Sequence, residues 1–140
     1  MKIAKKSEEY VKRYFKELFQ CEENVSTAKQ AEEYVKRYFK EIRGIDLSNH
    51  GIGFDSCDNS SKHFVEVKGS KKAFNHLQGW YFTNEQYKKA MSCRREKTKY
   101  EIHIVVGIGS ESPEHYMEHG EVFLNQAEQS ISWWLRRLKV

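Results

Sequence analysis

The sequence predicts one α/β (α+β) domain: a small mixed β-sheet flanked by helices, with a duplicated helix pair at its N-terminus. Three observations carry this expectation. Apolar residues in the first 42 positions recur with a helical period, and those in the middle of the chain alternate as in strands. The length of 140 residues holds one core, and a single proline, Pro113, leaves no Pro-rich linker at which to divide it. Apolar residues at 39% and aromatics at 14% suffice for that core, so a disordered polymer is not expected.

The elements follow in order. The segment EEYVKRYFKE occurs at Glu8–Glu17 and again at Glu32–Glu41, an offset of 24 residues. Tyr10, Val11, Tyr14, Phe15, Leu18 and Phe19 form one apolar stripe; Ala31, Tyr34, Val35, Tyr38, Phe39 and Ile42 form the other. Two copies are too few for a solenoid. A helical hairpin is expected instead, with its turn and cap among Asn24, Ser26 and Thr27, and with Gly44 ending the second helix. Gly51–Cys57 and Lys62–Lys68 then read as two strands around the polar turn Asp58–Ser61. Trp80–Phe82 reads as a third strand. Thr83 caps the next helix, with Gln86 completing a capping box and Tyr87, Ala90 and Met91 facing inward. Tyr100–Val106 is expected to be a central strand stopped by Gly107 and Gly109. Ser112-Pro113 should start a short helix, and Asn125 the last one, striped by Ala127, Ile131, Trp134, Leu135 and Leu138. The expected layout is an N-terminal helical extension over 1–30, a core over 31–110 and a helical tail over 111–140.

No run of apolar residues is long enough for a membrane-spanning helix, and Met1–Lys6 lacks the features of a signal peptide. A soluble, cytoplasmic protein with no membrane partner is therefore expected. Cys21, Cys57 and Cys93 form no CxxC pair, and their odd count argues for spare thiols rather than a disulfide framework or zinc knuckle. The six histidines show no metal-ligand spacing; His115 and His119, at i and i+4, read as surface residues. Charge is uneven. Between Lys62 and Lys99 ten Lys or Arg face three Glu, although the whole chain is only +4. A basic centre in an otherwise acidic chain suggests an anionic partner such as nucleic acid.

The chemistry concentrates on the hairpin. Strand alternation puts Phe64, Glu66 and Lys68 on one face and Val65 and Val67 on the other. A turn centred between Ser60 and Ser61 places Asp55 opposite Glu66. Directly paired residues share a face with Cβ atoms ~5 Å apart. Two carboxylates so placed repel unless a cation lies between them. A hard divalent ion suits that position, because Mg²⁺ takes one or two carboxylates together with water and phosphate. Lys68 could then orient a water or counter charge on a phosphate.

Asp55, ten intervening residues, then Glu66-Val67-Lys68 resembles the D-x(n)-E-x-K signature of the PD-(D/E)xK nucleases. The wider text is Gly53-Phe-Asp-Ser56, Phe64-Val-Glu-Val-Lys-Gly-Ser70 and Thr83-Asn-Glu85. It is similar to the nuclease-like domain at the C-terminus of the plant NO VEIN protein and of many prokaryotic proteins. Mrr-type restriction enzymes and archaeal Holliday-junction resolvases are similar more loosely. The resemblance spans roughly Ala31 to Gly107, with Phe54 where a proline often precedes the aspartate. It implies a restriction-endonuclease-like core and Mg²⁺- or Mn²⁺-dependent hydrolysis of DNA phosphodiesters, of a restriction, repair or junction-resolving type. Asp55, Glu66 and the Val67 carbonyl would bind metal, and Lys68 would position the attacking water. Such nucleases commonly add a glutamate from the preceding helix. The apolar stripe of that helix centres about 90° from Glu32 and nearly opposite Glu33, which selects Glu32.

Lys71, Lys72, Lys88, Lys89, Arg94, Arg95, Lys97 and Lys99 are the expected phosphate contacts. A nuclease-derived module that binds nucleic acid or a protein partner without cutting is the alternative, as is a structural subunit of a larger complex. Presence of all three signature residues favours the active reading. Enzymes that cut both strands are often dimers, and a homodimer through the Trp133-Trp134 helix stays open.

Overall fold

The structure is a computed structural model that describes residues 2–3, 26–72 and 82–125. Helix α1 (Thr27–Tyr38) opens on Ser26, whose Oγ accepts the Lys29 amide at 3.3 Å. This side-chain bond satisfies one of the amides that a helix start leaves unpaired. The helix continues as a π-helical turn over Phe39–Arg43 and stops at Gly44, whose φ of 66° is left-handed. The cap that the sequence signals is therefore in place. Ala31, Tyr34, Val35 and Phe39 are fully buried, as the apolar stripe requires.

Among the described residues six strands follow the spatial order β1-β6-β5-β4-β3-β2. They are β1 (Lys2–Ile3), β2 (Leu47–Gly51), β3 (Phe54–Asp58), β4 (His63–Gly69), β5 (Lys99–Val106) and β6 (Glu114–His119). Five form the body of a mixed sheet, and the two-residue β1 extends it at one edge. Of these neighbouring pairs, β4 and β5 run parallel and the other four are antiparallel. Parallel neighbours need a crossover, and helix α2 (Asn84–Glu96) lies in that connection. It begins with the capping box of Thr83 and Gln86.

The sheet carries a core on each face. Val65 and Val105 pack on Ala31, Tyr34, Val35 and Phe39 of the α1 layer. Phe64, Tyr100, Ile102, Ile104 and Val106 pack on Ala90 and Cys93 of α2. Alternation along β4 puts Val65 and Phe64 on opposite faces, as read from the sequence, and packing sends Val65 towards α1 and Phe64 towards α2. Cys57 and Cys93 are buried free thiols, also as expected.

Several expectations are corrected. Ser112-Pro113 does not start a helix; it leads into β6, which pairs with β5 from Val106↔Glu114 to Glu101↔His119. Long-range pairing decides this segment, and a local Pro signal cannot register it. Strand β2 went unrecognised because Leu47 is its one buried residue. Phe82 lies in irregular backbone rather than a strand. Residues 120–125 are already helical, so helix begins before Asn125. The first repeat copy and its place in a helix pair, the strand assigned to Trp80-Tyr81, Cys21 and the Trp133-Trp134 helix all lie outside the described residues. Among the described residues no helix is long and apolar enough to cross a membrane.

Gly53 ties the β2–β3 turn to α2. Its φ is 85°, and a Cβ there would sit 2.4 Å from the Glu85 carbonyl oxygen and 2.8 Å from Lys89 Cβ. Gly53→Ala is therefore expected to destabilise by about 2 kcal/mol, since both the backbone conformation and the space exclude a side chain. A urea midpoint lowered at unchanged m-value would show it.

Candidate active site

The β3–β4 register is Ser56↔Val65 and Cys57↔Phe64. One further step places Asp55 opposite Glu66, the pairing expected from a turn centred between Ser60 and Ser61. The Asp55 carboxylate reaches across the strands, and its Oδ2 accepts the Val67 amide at 2.7 Å. That bond holds the carboxylate beside Glu66. Glu66 itself is 4% exposed and hydrogen-bonded to Asp55. Burial first, and the Asp55 charge second, push the Glu66 carboxyl up to about 8, while Lys68 pulls the other way. Two carboxyl groups in contact out of water hold a proton more tightly than either would alone.

Glu32 joins from α1. Its carboxyl is also raised, by burial and then by Asp55, to which it is hydrogen-bonded. The helical wheel that selected it over Glu33 is consistent with this contact. On the other side, Lys68 Nζ lies 3.6 Å from Glu66 Oε2 and donates to Gln86 Oε1 at 3.3 Å. It also sits 4.8 Å from the centre of the Phe82 ring. Gln86 Oε1 accepts the Thr83 amide as well, at 2.9 Å. The residue legible as a helix cap therefore also holds the lysine. Tyr100 closes the floor: its hydroxyl donates to the Gly53 carbonyl at 2.8 Å. Burial, with Glu66 and Asp55 next, keeps that phenol protonated.

Asp55, Glu66, Lys68 and Glu32 thus come together, from two strands and one helix. The donors are hard oxygens carrying more negative charge than one lysine offsets, which suits Mg²⁺ or Mn²⁺. A cation could replace the protons that the carboxyl groups now share. Among the described residues no group of three or more His, Cys, Asp or Glu side chains is arranged to hold a metal by itself. The fit therefore relies on two carboxylates, with water and a phosphate completing the shell, as Mg²⁺ prefers. Of Val67, the group seen at the cluster is the amide.

The basic residues divide by position. Lys71 and Lys72 are exposed just beyond β4. Lys88 is exposed 3.9 Å from Glu85, a surface pair of little energetic weight. Arg95 is exposed on α2. Lys89 differs from the rest: its ammonium lies 3.9 Å from the centre of the Phe64 ring and 5.3 Å from that of Phe54. It serves packing beneath α2. Arg94, Lys97 and Lys99 line a cleft of about 400 Å³ at the C-terminal end of α2.

A second polar cluster escaped the sequence reading altogether. On the α1 side of the sheet, Arg43 donates to Glu101 through Nη1 at 2.7 Å and Nη2 at 3.0 Å. His103 Nε2 lies 3.0 Å from Glu101 Oε1, His103 Nδ1 lies 2.8 Å from His115 Nε2, and His115 Nδ1 lies 3.1 Å from the Tyr34 hydroxyl. Burial alone would raise the Glu101 carboxyl, but the bonds from His103 and Arg43 outweigh it and hold it well below the usual range. Burial keeps both imidazoles neutral. An ionised Glu101 only accepts, which assigns every proton: His103 donates to Glu101, His115 to His103, and Tyr34 to His115. His115, read from spacing as a surface residue, is 2% exposed. The signal was present in β5, where Glu101 and His103 interrupt one side of an otherwise apolar strand.

Comparison with known protein families, curated proteins and solved structures finds no match to this chain.

Proposed function

We propose that the protein is a divalent-metal-dependent nuclease that hydrolyses DNA phosphodiester bonds on a restriction-endonuclease-like core. The observation that carries this reading is the convergence of Asp55, Glu66 and Glu32, with Lys68 Nζ 3.6 Å from Glu66. The element order supports it: a helix, three strands, a helix and a strand parallel to the third.

Asp55 and Glu66 would hold Mg²⁺ or Mn²⁺, with Glu32 beside them through its hydrogen bond to Asp55. The bound ion supplies Lewis acidity and a water of lowered pKa. The chain's own groups do the positioning. Asp55 is pinned by the Val67 amide, so its carboxylate cannot swing away from Glu66. Lys68, steadied by Gln86 Oε1 and the Phe82 ring, presents an ammonium donor to the attacking water and to the negative charge that grows on the phosphate. Burial of Glu66 limits competing bulk water at that wall of the site.

The test is incubation of the purified protein with supercoiled plasmid, single-stranded and branched DNA, in millimolar Mg²⁺ or Mn²⁺ and in EDTA. Cleavage that requires the metal is expected. Binding without cleavage under every metal condition would overturn the enzyme reading in favour of a nuclease-derived binding module.

A further inference from the structure

We propose that the side-chain amide nitrogen of Gln86 donates to a non-bridging oxygen of the same phosphate that Lys68 faces, so that the two side chains hold one phosphodiester between them. This inference rests on the nuclease reading and adds a substrate contact to its site.

Donors and acceptors at Gln86 point to this role. A glutamine amide has one oxygen with two acceptor positions and one nitrogen with two donors. Both positions on Gln86 Oε1 are used within the protein. It accepts the Thr83 amide at 2.9 Å and the Lys68 ammonium at 3.3 Å. Each partner is a donor only, so the group cannot be turned over: its nitrogen would then meet an N–H and an ammonium. Nε2 is therefore the end that stays available, with no acceptor among the described residues. Gln86 is half-buried, so this end is not sealed into the core.

The helix start fixes the geometry. Gln86 is the third residue of α2, and the capping box bends its side chain back over the first turn onto the Thr83 amide. Lys68 is held in turn: its Nζ lies 3.6 Å from Glu66 Oε2 and 4.8 Å from the centre of the Phe82 ring. The oxygen and nitrogen of one amide are ~2 Å apart. The Gln86 donors and the Lys68 ammonium thus stand close enough to take two oxygens of one phosphate. Glu85, the acid of the same turn, is exposed and lies 3.9 Å from Lys88. A phosphodiester carries one negative charge over two non-bridging oxygens. Lys68 meets the charge, and the neutral amide adds a second, directional bond.

The experiment follows, by anisotropy in EDTA, the binding of a fluorescein-labelled single strand of 12 nucleotides to the full chain. Three variants are compared with wild type, and urea midpoints show that each is folded. Gln86→Glu keeps an oxygen for Thr83 and Lys68 but replaces the donor end with a second oxygen. Gln86→Met removes the donors without adding charge. Thr83→Ala removes the other half of the capping box and leaves the amide in place. Both Gln86 variants should bind about tenfold more weakly, the loss of one hydrogen bond to a charged acceptor. Thr83→Ala should bind as wild type does. The salt slope of Gln86→Met should match that of wild type, because a neutral donor releases no counterion. Weaker binding by Gln86→Met alone would mean that Gln86 acts only by holding Lys68, and would overturn the contact. Weaker binding by Gln86→Glu alone would trace to its added charge and overturn it too. So would an equal loss in Thr83→Ala, or no loss in any variant. Parallel incubations in Mg²⁺ separate the two claims. No cleavage by wild type counts against the nuclease, while the binding series still decides Gln86. Cleavage at the wild-type rate in both Gln86 variants counts against the contact alone.

Discussion

Glu66→Gln and Lys68→Met are each expected to lower the metal-dependent cleavage rate by ~10²–10³-fold while the protein stays folded. Gln preserves the volume and shape of Glu66 but cannot supply a charge to a cation. Methionine keeps the apolar stem of Lys68 against Phe82 and removes the ammonium that lies 3.6 Å from Glu66 Oε2. The two variants should part company in stability. Glu66 holds its proton more tightly in the folded protein, up to about 8, than in the unfolded chain, where it is an ordinary carboxyl. The folded state therefore binds more protons across that window, so this group's contribution to stability falls as pH rises from about 4.5 to 8. Glu66→Gln removes that decline, and without metal it should be at least as stable as wild type at pH 8. Single-turnover cleavage and urea midpoints, measured on the same preparations, check both halves. Full activity in either variant would eliminate the roles proposed for these residues.

Arg43→Met is expected to cost about 3 kcal/mol of stability with the carboxylate cluster untouched. Glu101 is 2% exposed, and the guanidinium forks onto both of its oxygens. Methionine can still cover the Phe39 ring that Arg43 now overlies at 4.4 Å, so the loss reports the charge rather than the stem. What remains is a buried carboxylate with one donor, His103. The same network predicts acid sensitivity. His103 and His115 have folded pKa values depressed by burial, so the unfolded chain takes up protons first as pH falls. Their contribution is intact above the ordinary histidine value of about 6.5 and declines below it. Tyr34, Tyr38, His119, Arg43 and Glu101 are the other titratable groups that act on these imidazoles or share their contacts; of these, Glu101, also depressed, adds its own loss below about 4.5. In the Glu66→Gln background, which removes the opposite trend of Glu66, denaturation midpoints should therefore fall from pH 7 to pH 4. A flat profile would mean that the relay is not the buried neutral chain described.

Much of the candidate site was legible because it depends on local rules. Strand alternation and a turn centre placed Asp55 against Glu66, and helical periodicity chose Glu32 over Glu33. Ser26, Thr83, Gln86 and Gly44 announced their helix ends through side-chain chemistry that acts over three or four residues. What escaped depends on partners distant in sequence. Strand β2 is mostly exposed and held by pairing with β3. Strand β6 exists through β5, eight residues earlier, and overrides a proline that locally suits a helix start. The chain from Tyr34 to Glu101 joins residues up to 81 positions apart, a distance over which no periodicity in one sequence speaks. Lys89 shows the same limit: its charge suggested phosphate, and only the aromatic rings beneath it reveal a packing role.

The central claim is that Asp55 and Glu66 form a divalent-cation site, and calorimetric scans with and without millimolar Mg²⁺ test it most directly. Metal that binds only the folded protein stabilises it by about 2.7 kcal/mol at 100 times Kd, a rise in Tm of roughly 10 °C for a domain of this size. Asp55→Asn keeps an oxygen for the Val67 amide but removes one of the two charges. The account predicts that wild type shifts upward with Mg²⁺ or Mn²⁺, that Asp55→Asn loses most of the shift, and that the metal-free variant is no less stable than wild type. A wild-type Tm indifferent to metal, or an equal shift in Asp55→Asn, would contradict it.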